Sequence, residues 1–375
     1  MKSYQIIIKE VAEVSEMELT FKPNVFFLFV SPNFPDPKKV VDFLRKTYPK
    51  AYLIGCSTAG EIVGSRLVDE SIVLTAVQFE KSRLDQTCTV LDDHDMDSFK
   101  VGKYLSEKLR TPDLKHMFVL SDGLFINGAE LVAGLTDEMD PSVGITGGLA
   151  ADGQNFENTF VISNDGVHSK KVVALGIYGD AIKIGFGSKG GWDSFGLERL
   201  VTKSDKNILY ELDGEPALDL YKSFLGEKAS ELPSSGLLFP LSLRENDNQE
   251  PVVRTILGID EASKSLTFAG NIPEGSYVRL MKANIDRLIN GAGESASLIS
   301  QGSNEDTQIA FLISCIGRRL VLKQFVEEEL EAVSEILGKN VLYTGFYSYG
   351  EIAPFSSFSP CTLHNQTMTI TTFSE

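Results

Sequence analysis

Three stretches of the chain repeat one pattern of hydrophobic and polar positions. Each begins with a short apolar segment and a small or polar turn, and continues with apolar residues at helical spacing. Each then ends in a second apolar segment that runs into glycine. The stretches cover residues 26–62, 117–153 and 310–352. A strand, a helix and a second strand of this length predict a βαβ unit with parallel strands and a right-handed crossover.

The helices of the second and third units have recognisable ends. Asn127 is expected to cap the N-terminus of the second helix. In the third unit five apolar residues recur at spacings of four and three, which predicts a helix over residues 319–337. Gly338 follows it, where a left-handed C-terminal cap is expected. The five apolar residues are Leu322, Val326, Leu330, Val333 and Leu337.

Further strands are expected after each unit, at residues 71–79, 172–179 and 367–373. Alternation of apolar and polar residues in the last of these, TMTITTF, predicts an edge or half-exposed strand.

The segment between the second and third units differs in composition. A glycine-rich stretch, a DG turn and a polar, loop-rich stretch indicate a domain boundary near residue 216. The apolar runs that follow predict an antiparallel meander. The fold class is therefore predicted to be α/β, with mixed α+β character in the C-terminal part. We expect two domains, residues 1–216 and 217–375, built on repeated βαβ units with mixed sheets.

Composition narrows the classes of function. The 375 residues are 42% hydrophobic and 23% charged, as in globular proteins, and the net charge of −17 divides into −9 up to residue 216 and −8 beyond it. An evenly acidic surface repels nucleic acid and anionic membranes. No signal peptide or membrane-spanning run is recognised. The four cysteines fit neither a zinc spacing nor a disulfide framework, which predicts a reduced, cytoplasmic protein.

Two strand ends have the same octamer pattern. Residues 55–62, GCSTAGEI, and residues 345–352, GFYSYGEI, share G-x-x-x-x-G-E-I. Glycine at a strand end lets the backbone approach a ligand, and ligands of open α/β sheets bind outside the carboxyl ends of strands. A ligand pocket is expected where the strand-end loops of the three units converge. The alternative is that these glycines only make turns that let strands pack.

Six segments, which follow one another along most of the chain, resemble a known family. They are residues 54–62, 147–153, 212–227, 314–318, 345–352 and 364–367. They are similar to the paired FIST N and FIST C domains of intracellular signal-transduction sensors, and their order is that of the family. The resemblance implies a cytoplasmic sensory module for a small ligand, with amino acids as the proposed class, and it does not imply an enzyme.

The resemblance also implies how a signal would be passed on. Many family members have this domain pair beside kinase, cyclase or chemoreceptor output domains. A length of 375 residues leaves no chain for such an output, so signalling is expected to act through a separate protein partner.

A zwitterionic amino acid needs an anion site and a cation site close together. Arg318, at the start of the predicted third helix, is expected to bind the carboxylate, and Glu61 or Glu351 the ammonium group. Structural roles are the alternatives: carboxylates bonded to loop N–H groups, and an arginine clamped between loops. The other residues expected to line the ligand are Gly55, Cys56, Ser57, Thr58, Asp122, Gly147, Gly148, Asp152, Phe346, Tyr347, Ser348 and Tyr349.

Two rival functions are considered. Cys56 follows a strand and a glycine, as nucleophiles of hydrolases and transferases do, with His364 as the best available base. A small buried cysteine is the commoner case. The resemblance also includes haem-dependent nitric-oxide sensors, which need an axial histidine, cysteine or tyrosine in an apolar pocket. His94 and His168 are expected to be solvated, His116 precedes a strand and His364 has polar neighbours, so haem is the weaker alternative. We predict no resident cofactor, no metal and no catalytic residue, with haem as the alternative.

Overall fold

The chain has a mixed α/β fold with two domains. A computed structural model describes residues 1–245, 251–300, 307–355 and 359–375. The helices are α1 (Pro37–Thr47), α2 (Ser98–Leu109), α3 (Gly128–Thr136), α4 (Ala217–Leu225), α5 (Ile285–Ser300), α6 (Ile316–Leu322) and α7 (Val326–Leu337). No helix among the described residues is long and apolar enough to cross a membrane.

The strands fall into four sheets. In chain order they are β1 (Lys2–Ile8), β2 (Val25–Val30), β3 (Tyr52–Ser57), β4 (Glu61–Val63), β5 (Arg66–Val68), β6 (Ile72–Gln78), β7 (Arg83–Val90), β8 (Leu114–Ser121), β9 (Gly144–Leu149), β10 (Val161–Ser163), β11 (Gly166–His168), β12 (Lys171–Tyr178), β13 (Lys183–Lys189), β14 (Asp193–Asp205), β15 (Ile208–Leu212), β16 (Glu215–Pro216), β17 (Leu241–Arg244), β18 (Val252–Arg254), β19 (Ile256–Asp260), β20 (Ser265–Phe268), β21 (Tyr277–Lys282), β22 (Ile309–Cys315), β23 (Leu342–Ser348), β24 (Gly350–Pro354), β25 (Cys361–His364) and β26 (Met368–Ser374).

Three of the sheets repeat one strand order. The orders are β1-β6-β2-β3-β10-β11, β7-β12-β8-β9-β24-β25 and β13-β26-β22-β23-β4-β5. In each, the third and fourth strands are the two strands of one βαβ unit, and they are parallel as predicted. The last two strands are a hairpin that another unit supplies. The first unit gives β4–β5 to the third sheet, the second gives β10–β11 to the first, and the third gives β24–β25 to the second.

This exchange closes the three units into a ring with an apolar centre. Phe27, Phe118 and Phe311 occupy equivalent positions on β2, β8 and β22, and their ring centroids are 4.5 to 5.6 Å apart. The repeat that the hydrophobic pattern reveals is therefore a repeat in space as well as in sequence.

Two predicted elements of the third unit are wrong. The strand near 367–373 is not at an edge: β26 lies between β13 and β22, and every residue of it is buried. Thr369 shares a hydrogen bond with the Ser188 hydroxyl and Thr372 donates to the Gly185 carbonyl, so the polar residues of this alternating pattern are buried as well as the apolar ones. The helix over 319–337 is two helices, α6 and α7, which are separated by a break at Lys323, where the backbone φ is positive (52°). Asn127 caps α3 as predicted, accepting from the N–H groups of Ala129 and Glu130.

The fourth sheet forms a separate unit with its own core. Its order is β18-β17-β21-β14-β15-β20-β19, with β16 beside β15, and all its pairings are antiparallel, as predicted. The predicted meander is wrong, because β18 and β19 lie at opposite ends of the sheet and β14 and β15 separate β21 from β20. Helix α4 packs on it through Leu218 and Tyr221. Residue 216 lies inside this unit, between β15 and α4. The predicted boundary therefore divides the sequence, and it does not coincide with the division between the ring and the fourth-sheet unit.

Candidate functional site

The strand-end loops of the three units are hydrogen-bonded to one another. The N–H of Ala59 donates to the carbonyl of Tyr347 (2.8 Å), and the N–H of Tyr347 donates to the carbonyl of Gly60 (2.9 Å). The N–H of Ala151 donates to the carbonyl of Ser57 (2.9 Å). All three loops therefore meet, because each hairpin that follows a loop is paired with a strand of another unit.

The first glycines of these loops have a packing role. A Cβ atom on Gly55, Gly147 or Gly345 would lie 2.2, 1.8 or 1.8 Å from a carbonyl oxygen of the neighbouring parallel strand. No real side chain fits at such distances, so only glycine lets the two strands pair here. Strand packing, the alternative considered for the pattern, accounts for these three positions.

The two glutamates of the octamers occupy matching buried networks. Glu61 accepts from the hydroxyls of Thr58 and Ser71, the latter at 2.9 Å. Glu351 accepts at Oε1 from the Ser348 hydroxyl (2.6 Å) and at Oε2 from the Thr367 hydroxyl (2.8 Å). Burial raises the pKa of each carboxyl from 4.5 to about 8, against the opposing effect of these hydrogen bonds. Each glutamate is thus held by hydroxyl groups, and neither forms an ion pair with another described residue.

Arg318 is fully buried, and its guanidinium group forms hydrogen bonds and an ion pair with other buried groups of the chain. Its guanidinium pairs with Glu329, with Nη2 2.6 Å from Oε2, and it also donates to the carbonyls of Gly190 and Leu288. Glu329 in turn accepts from the Tyr347 hydroxyl (2.6 Å). Arg318 and Tyr347 therefore hold α5, α6, α7 and the β13–β14 connection together, and both side chains are fully buried.

The aspartates of the second unit stabilise turns. Asp122 accepts from the N–H groups of Leu124 and Phe125 (2.9 Å each). Asp152 accepts from the N–H of Phe156 (3.0 Å) and from the hydroxyl of Tyr349. The Phe156 and Tyr349 rings are stacked, with centroids 4.5 Å apart, which fixes the loop after β9 against the third unit.

The remaining predicted residues are in the core. Cys56 is fully buried, and burial raises the pKa of its thiol well above the usual value. The Ser57 hydroxyl accepts from the N–H of Phe160 (3.1 Å), and the Phe346 ring lies 4.8 Å from that of Phe29. A Cβ on Gly148 would meet the side chain of Ile313 at 2.8 Å.

The four histidines lie apart from these loops or inside the core. His116 and His364 are buried, and burial lowers the pKa of the first to about 3 and of the second to about 4. His364 contacts the carbonyl of Ala353 (2.8 Å), and His94 contacts the Thr89 hydroxyl (2.8 Å). Within residues 1–245, 251–300, 307–355 and 359–375, no group of three or more His, Cys, Asp or Glu side chains is placed to hold a metal ion.

A cleft of about 530 Å³ lies above the strand-end loops. Its walls come from the three-unit ring and from the unit of the fourth sheet, and none of the fifteen predicted residues lines it. The lining residues are Leu67, Gln154, Glu231, Ser234, Ser235, Leu238, Arg319, Leu320 and Lys323. The cleft and the predicted residues nevertheless adjoin, since Arg319 donates to the carbonyl of Ala59 between Thr58 and Gly60.

Charges of both signs face this cleft. Arg319 is paired with Asp69 (2.7 Å), and its bonds to Asp69 and Ala59 use three of its five N–H groups. Lys323 is exposed and, among the described residues, has no carboxylate within 4.0 Å. Glu231 enters from the other unit, where it pairs with Lys228 (2.9 Å). The cleft therefore offers two cations, one carboxylate, two serine hydroxyls and three leucines.

One feature of the sequence indicates this cleft, and the site prediction does not use it. Arg318 and Arg319 are adjacent, and on a helix neighbouring residues point about 100° apart, so only one of them can face inward. The apolar residues from Leu322 to Leu337 predict a single helix. The sequence therefore does not reveal the break at Lys323, which directs this lysine toward the cleft.

Comparison with known proteins agrees with the two-part organisation. The FIST N domain model matches residues 24–215 and the FIST C domain model matches residues 217–354. FIST domains are associated with sensing in signal transduction. An uncharacterized protein of Methanocaldococcus jannaschii is 27% identical over 319 residues, which are 78% of this chain and 60% of that protein. The chain thus spans about 60% of the length of this curated relative.

Two solved structures show distant likeness over the whole chain. Cyanuric acid hydrolase from A. caulinodans has a TM-score of 0.40 with 7% identity, and a chorismatase has a TM-score of 0.37 with 10% identity. Each comparison covers 100% of this chain and 98% of the other. Likenesses this distant bear on neither activity nor ligand.

Proposed function

Because the chain belongs to the FIST family, we propose that it is a cytoplasmic sensory protein that binds an amino acid or a similar zwitterionic metabolite. The cleft between the ring and the fourth-sheet unit is the proposed site. One observation supports this most: Arg319 of α6, Lys323 just after it and a carboxylate from the other unit line the same cleft of about 530 Å³. That volume lies within the usual range for small-molecule sites.

The lining residues match the parts of a free amino acid. Lys323 and the unused N–H groups of Arg319 suit the α-carboxylate, since charge-assisted hydrogen bonds to carboxylates are the strong ones. Glu231 suits the ammonium group. Leu238 and Leu320 give the ligand side chain an apolar surface. Arg319 thus takes the role that the sequence suggested for Arg318.

Binding without chemical conversion is the second part of the proposal. The candidate nucleophiles Cys56, Ser57, Thr58 and Ser348 are all buried and do not line the cleft. A nucleophile needs an activating base and access to substrate. Ser234 and Ser235 do line the cleft, but each donates to a backbone carbonyl, of Glu231 and Lys228 respectively.

The signalling step follows from the position of the cleft. A ligand held by Lys323 on one side and Glu231 on the other contacts both structural units. Binding would favour the arrangement of the units that contacts the ligand best. A separate signalling protein, such as a kinase, cyclase or chemoreceptor, is the proposed recipient.

A thermal-shift experiment tests the proposal with chemically matched compounds. Each set contains an amino acid, the acid that lacks its amino group and the amine that lacks its carboxylate. We expect the melting temperature to rise with the amino acid and not with its two fragments, since a ligand at 100 times its Kd stabilises by about 2.7 kcal/mol. Equal shifts with fragments, or a shift with haem together with a Soret band, would contradict the proposal.

A further inference from the structure

The three sheets of the ring meet at three junctions, and two of these are closed in the same way. At each junction the first strand of one sheet, β1, β7 or β13, lies against the fourth strand of another sheet. On β1 the Gln5 amide donates to the carbonyl of Tyr343 on β23 (3.0 Å). On β7 the Gln86 amide donates to the carbonyl of Leu53 on β3 (2.8 Å). Each of these carbonyls belongs to the residue two positions before the strand-end glycine.

The third junction, between β13 and β9, has a different residue at the equivalent position. Counted across the strand pairings from the three strand-end glycines, Phe186 of β13 occupies the place of Gln5 and Gln86. The equivalent carbonyl, that of Ile145, accepts from the Cys361 thiol (3.3 Å). A phenylalanine therefore stands where the other two junctions have the glutamine that closes them.

A cavity of about 450 Å³ lies at the third junction. Its apolar walls include Phe186, Ile145, Met139 and Cys361. Among the described residues that line it, Asp140 is the only one with a charged side chain, and it is exposed to solvent. A cavity with these walls suits an uncharged ligand, because a charge buried here would have no partner.

Two buried polar atoms lie behind the Phe186 side chain. Among the described residues neither His116 Nδ1 nor the Thr371 hydroxyl has a hydrogen-bond partner, and both side chains are at most 1% exposed. Thr371 is the register partner of Phe186, so the two side chains share a face with their Cβ atoms about 5 Å apart. A Cβ on Gly144, which lines the cavity, would lie 2.8 Å from His116 Nδ1 and 3.3 Å from the Phe186 ring. Both polar atoms therefore border the inner wall of the cavity.

The equivalent hydroxyl of a closed junction has its partners. At the first junction Thr75 is the equivalent of Thr371, and its hydroxyl bonds to that of Thr344 (3.0 Å) and accepts from the closing glutamine (3.3 Å). At the third junction the Thr146 hydroxyl, the counterpart of Thr344, bonds to His116 Nε2 instead (2.9 Å). Because buried polar groups are nearly always paired, the two open atoms indicate a polar partner that the described residues do not supply.

A hydroxyl group suits both of these atoms. The His116 ring is neutral because burial lowers its pKa to about 3, so Nδ1 presents either a lone pair or an N–H. The Thr371 hydroxyl also donates or accepts, and a ligand hydroxyl can bond to both atoms at once. A carboxylate or an ammonium group would bring an unpaired charge into the core. The Phe186 ring and the Met139 sulfur favour an aromatic ring as the apolar part of the ligand.

We propose that the third junction is a second ligand site, which takes a small, uncharged aromatic compound with one hydroxyl group. The ligand's ring occupies the apolar cavity, and the half-buried Phe186 side chain turns aside so that the hydroxyl reaches His116 and Thr371. This site lies at the amino ends of β8 and β9, whereas the amino-acid cleft lies above their carboxyl ends. The two sites are therefore separate.

Fluorine NMR on the whole chain tests this site with a matched pair of probes. 4-Fluorophenol has the hydroxyl group, and 4-fluorotoluene has nearly the same shape without it. Thr371→Val removes a hydroxyl that has no partner among the described residues, so this variant should fold as the wild type does. Thr75→Val is the matched control at the first junction. Phe186→Gln gives the third junction the residue of the other two, and circular dichroism checks that each variant is folded.

We expect 4-fluorophenol to bind saturably to the wild type and to Thr75→Val, and at least tenfold more weakly to Thr371→Val and Phe186→Gln. The wild type should bind 4-fluorotoluene at least tenfold more weakly than 4-fluorophenol, and amino acids should not displace the probe. Any of four results would overturn the proposal: no saturable binding of 4-fluorophenol, equal affinity for the two probes, wild-type affinity in Thr371→Val or Phe186→Gln, or displacement of the probe by an amino acid.

Discussion

Replacement of Glu351 by glutamine tests the description of the buried networks most sharply. The protonated acid and the amide have the same shape, and the surroundings fit both. At Oε2 the carboxyl accepts from the N–H and hydroxyl of Thr367, so the proton belongs on Oε1. In the neutral form the bond to Ser348 (2.6 Å) is therefore reversed: Oε1–H donates to the Ser348 hydroxyl, which donates in turn to the Ser314 carbonyl (3.3 Å). Glu351→Gln places its NH₂ where that proton lies.

The pKa of Glu351 sets the size of the effect. Burial raises this pKa to about 8 from 4.5, so the folded protein holds a proton that the unfolded chain releases between these values. The stability due to the neutral carboxyl is therefore complete below pH 4.5 and is lost as the pH rises toward 8. Between pH 5 and pH 9 this loss amounts to about 4 kcal/mol in the free energy of unfolding.

Urea unfolding of the wild type and Glu351→Gln at several pH values measures this loss. Other titrating groups are common to both proteins and cancel in the difference. We expect the variant to gain about 4 kcal/mol relative to the wild type between pH 5 and pH 9. A difference between the two proteins that stays constant within about 1 kcal/mol over that range would refute the assignment of a neutral, buried carboxyl.

Three further predictions concern Arg318, Cys56 and the strand-end glycine Gly345. Arg318→Met should lower the free energy of unfolding by about 3–5 kcal/mol because it leaves Glu329 buried without its partner, and Arg318→Met/Glu329→Leu should recover part of this in urea unfolding. Iodoacetamide at neutral pH should modify Cys88, which is half-buried, before Cys56, as mass spectrometry would show. Gly345→Ala should prevent recovery of folded protein by circular dichroism, because its Cβ would lie 1.8 Å from a carbonyl oxygen.

The repeat was predictable because it is local in sequence. Each βαβ unit has its apolar segments, turn and helix within about forty residues, so periodicity shows it directly. The parallel pairs β2–β3, β8–β9 and β22–β23 then follow from the short crossover. What periodicity does not show is which sheet a hairpin joins. The pairing of Thr344 with Val63 links residues far apart in the chain, and no local pattern encodes it.

The site residues predicted from the sequence lie one layer beneath the proposed cleft. Glu61, Glu351 and Arg318 are polar residues beside glycines, which in a sequence look like ligand-binding groups. In the fold the two glutamates accept from neighbouring hydroxyl groups, and Arg318 bonds to Glu329 and to two backbone carbonyls. Other residues line the proposed cleft. Glu231 could not be associated with Arg319 from the sequence, because only the packing of the fourth-sheet unit against α6 brings them to one cleft.

Calorimetric titration of Lys323→Gln tests the central claim most directly. The ligand is the amino acid that gives the largest thermal shift, and Lys339→Gln, an exposed lysine beyond α7 that does not line the cleft, is the control. We predict that the Lys323 variant binds at least tenfold more weakly, a loss of about 1.4 kcal/mol or more, while the control binds as the wild type does. Wild-type affinity in Lys323→Gln would contradict the assignment of this cleft as the ligand site.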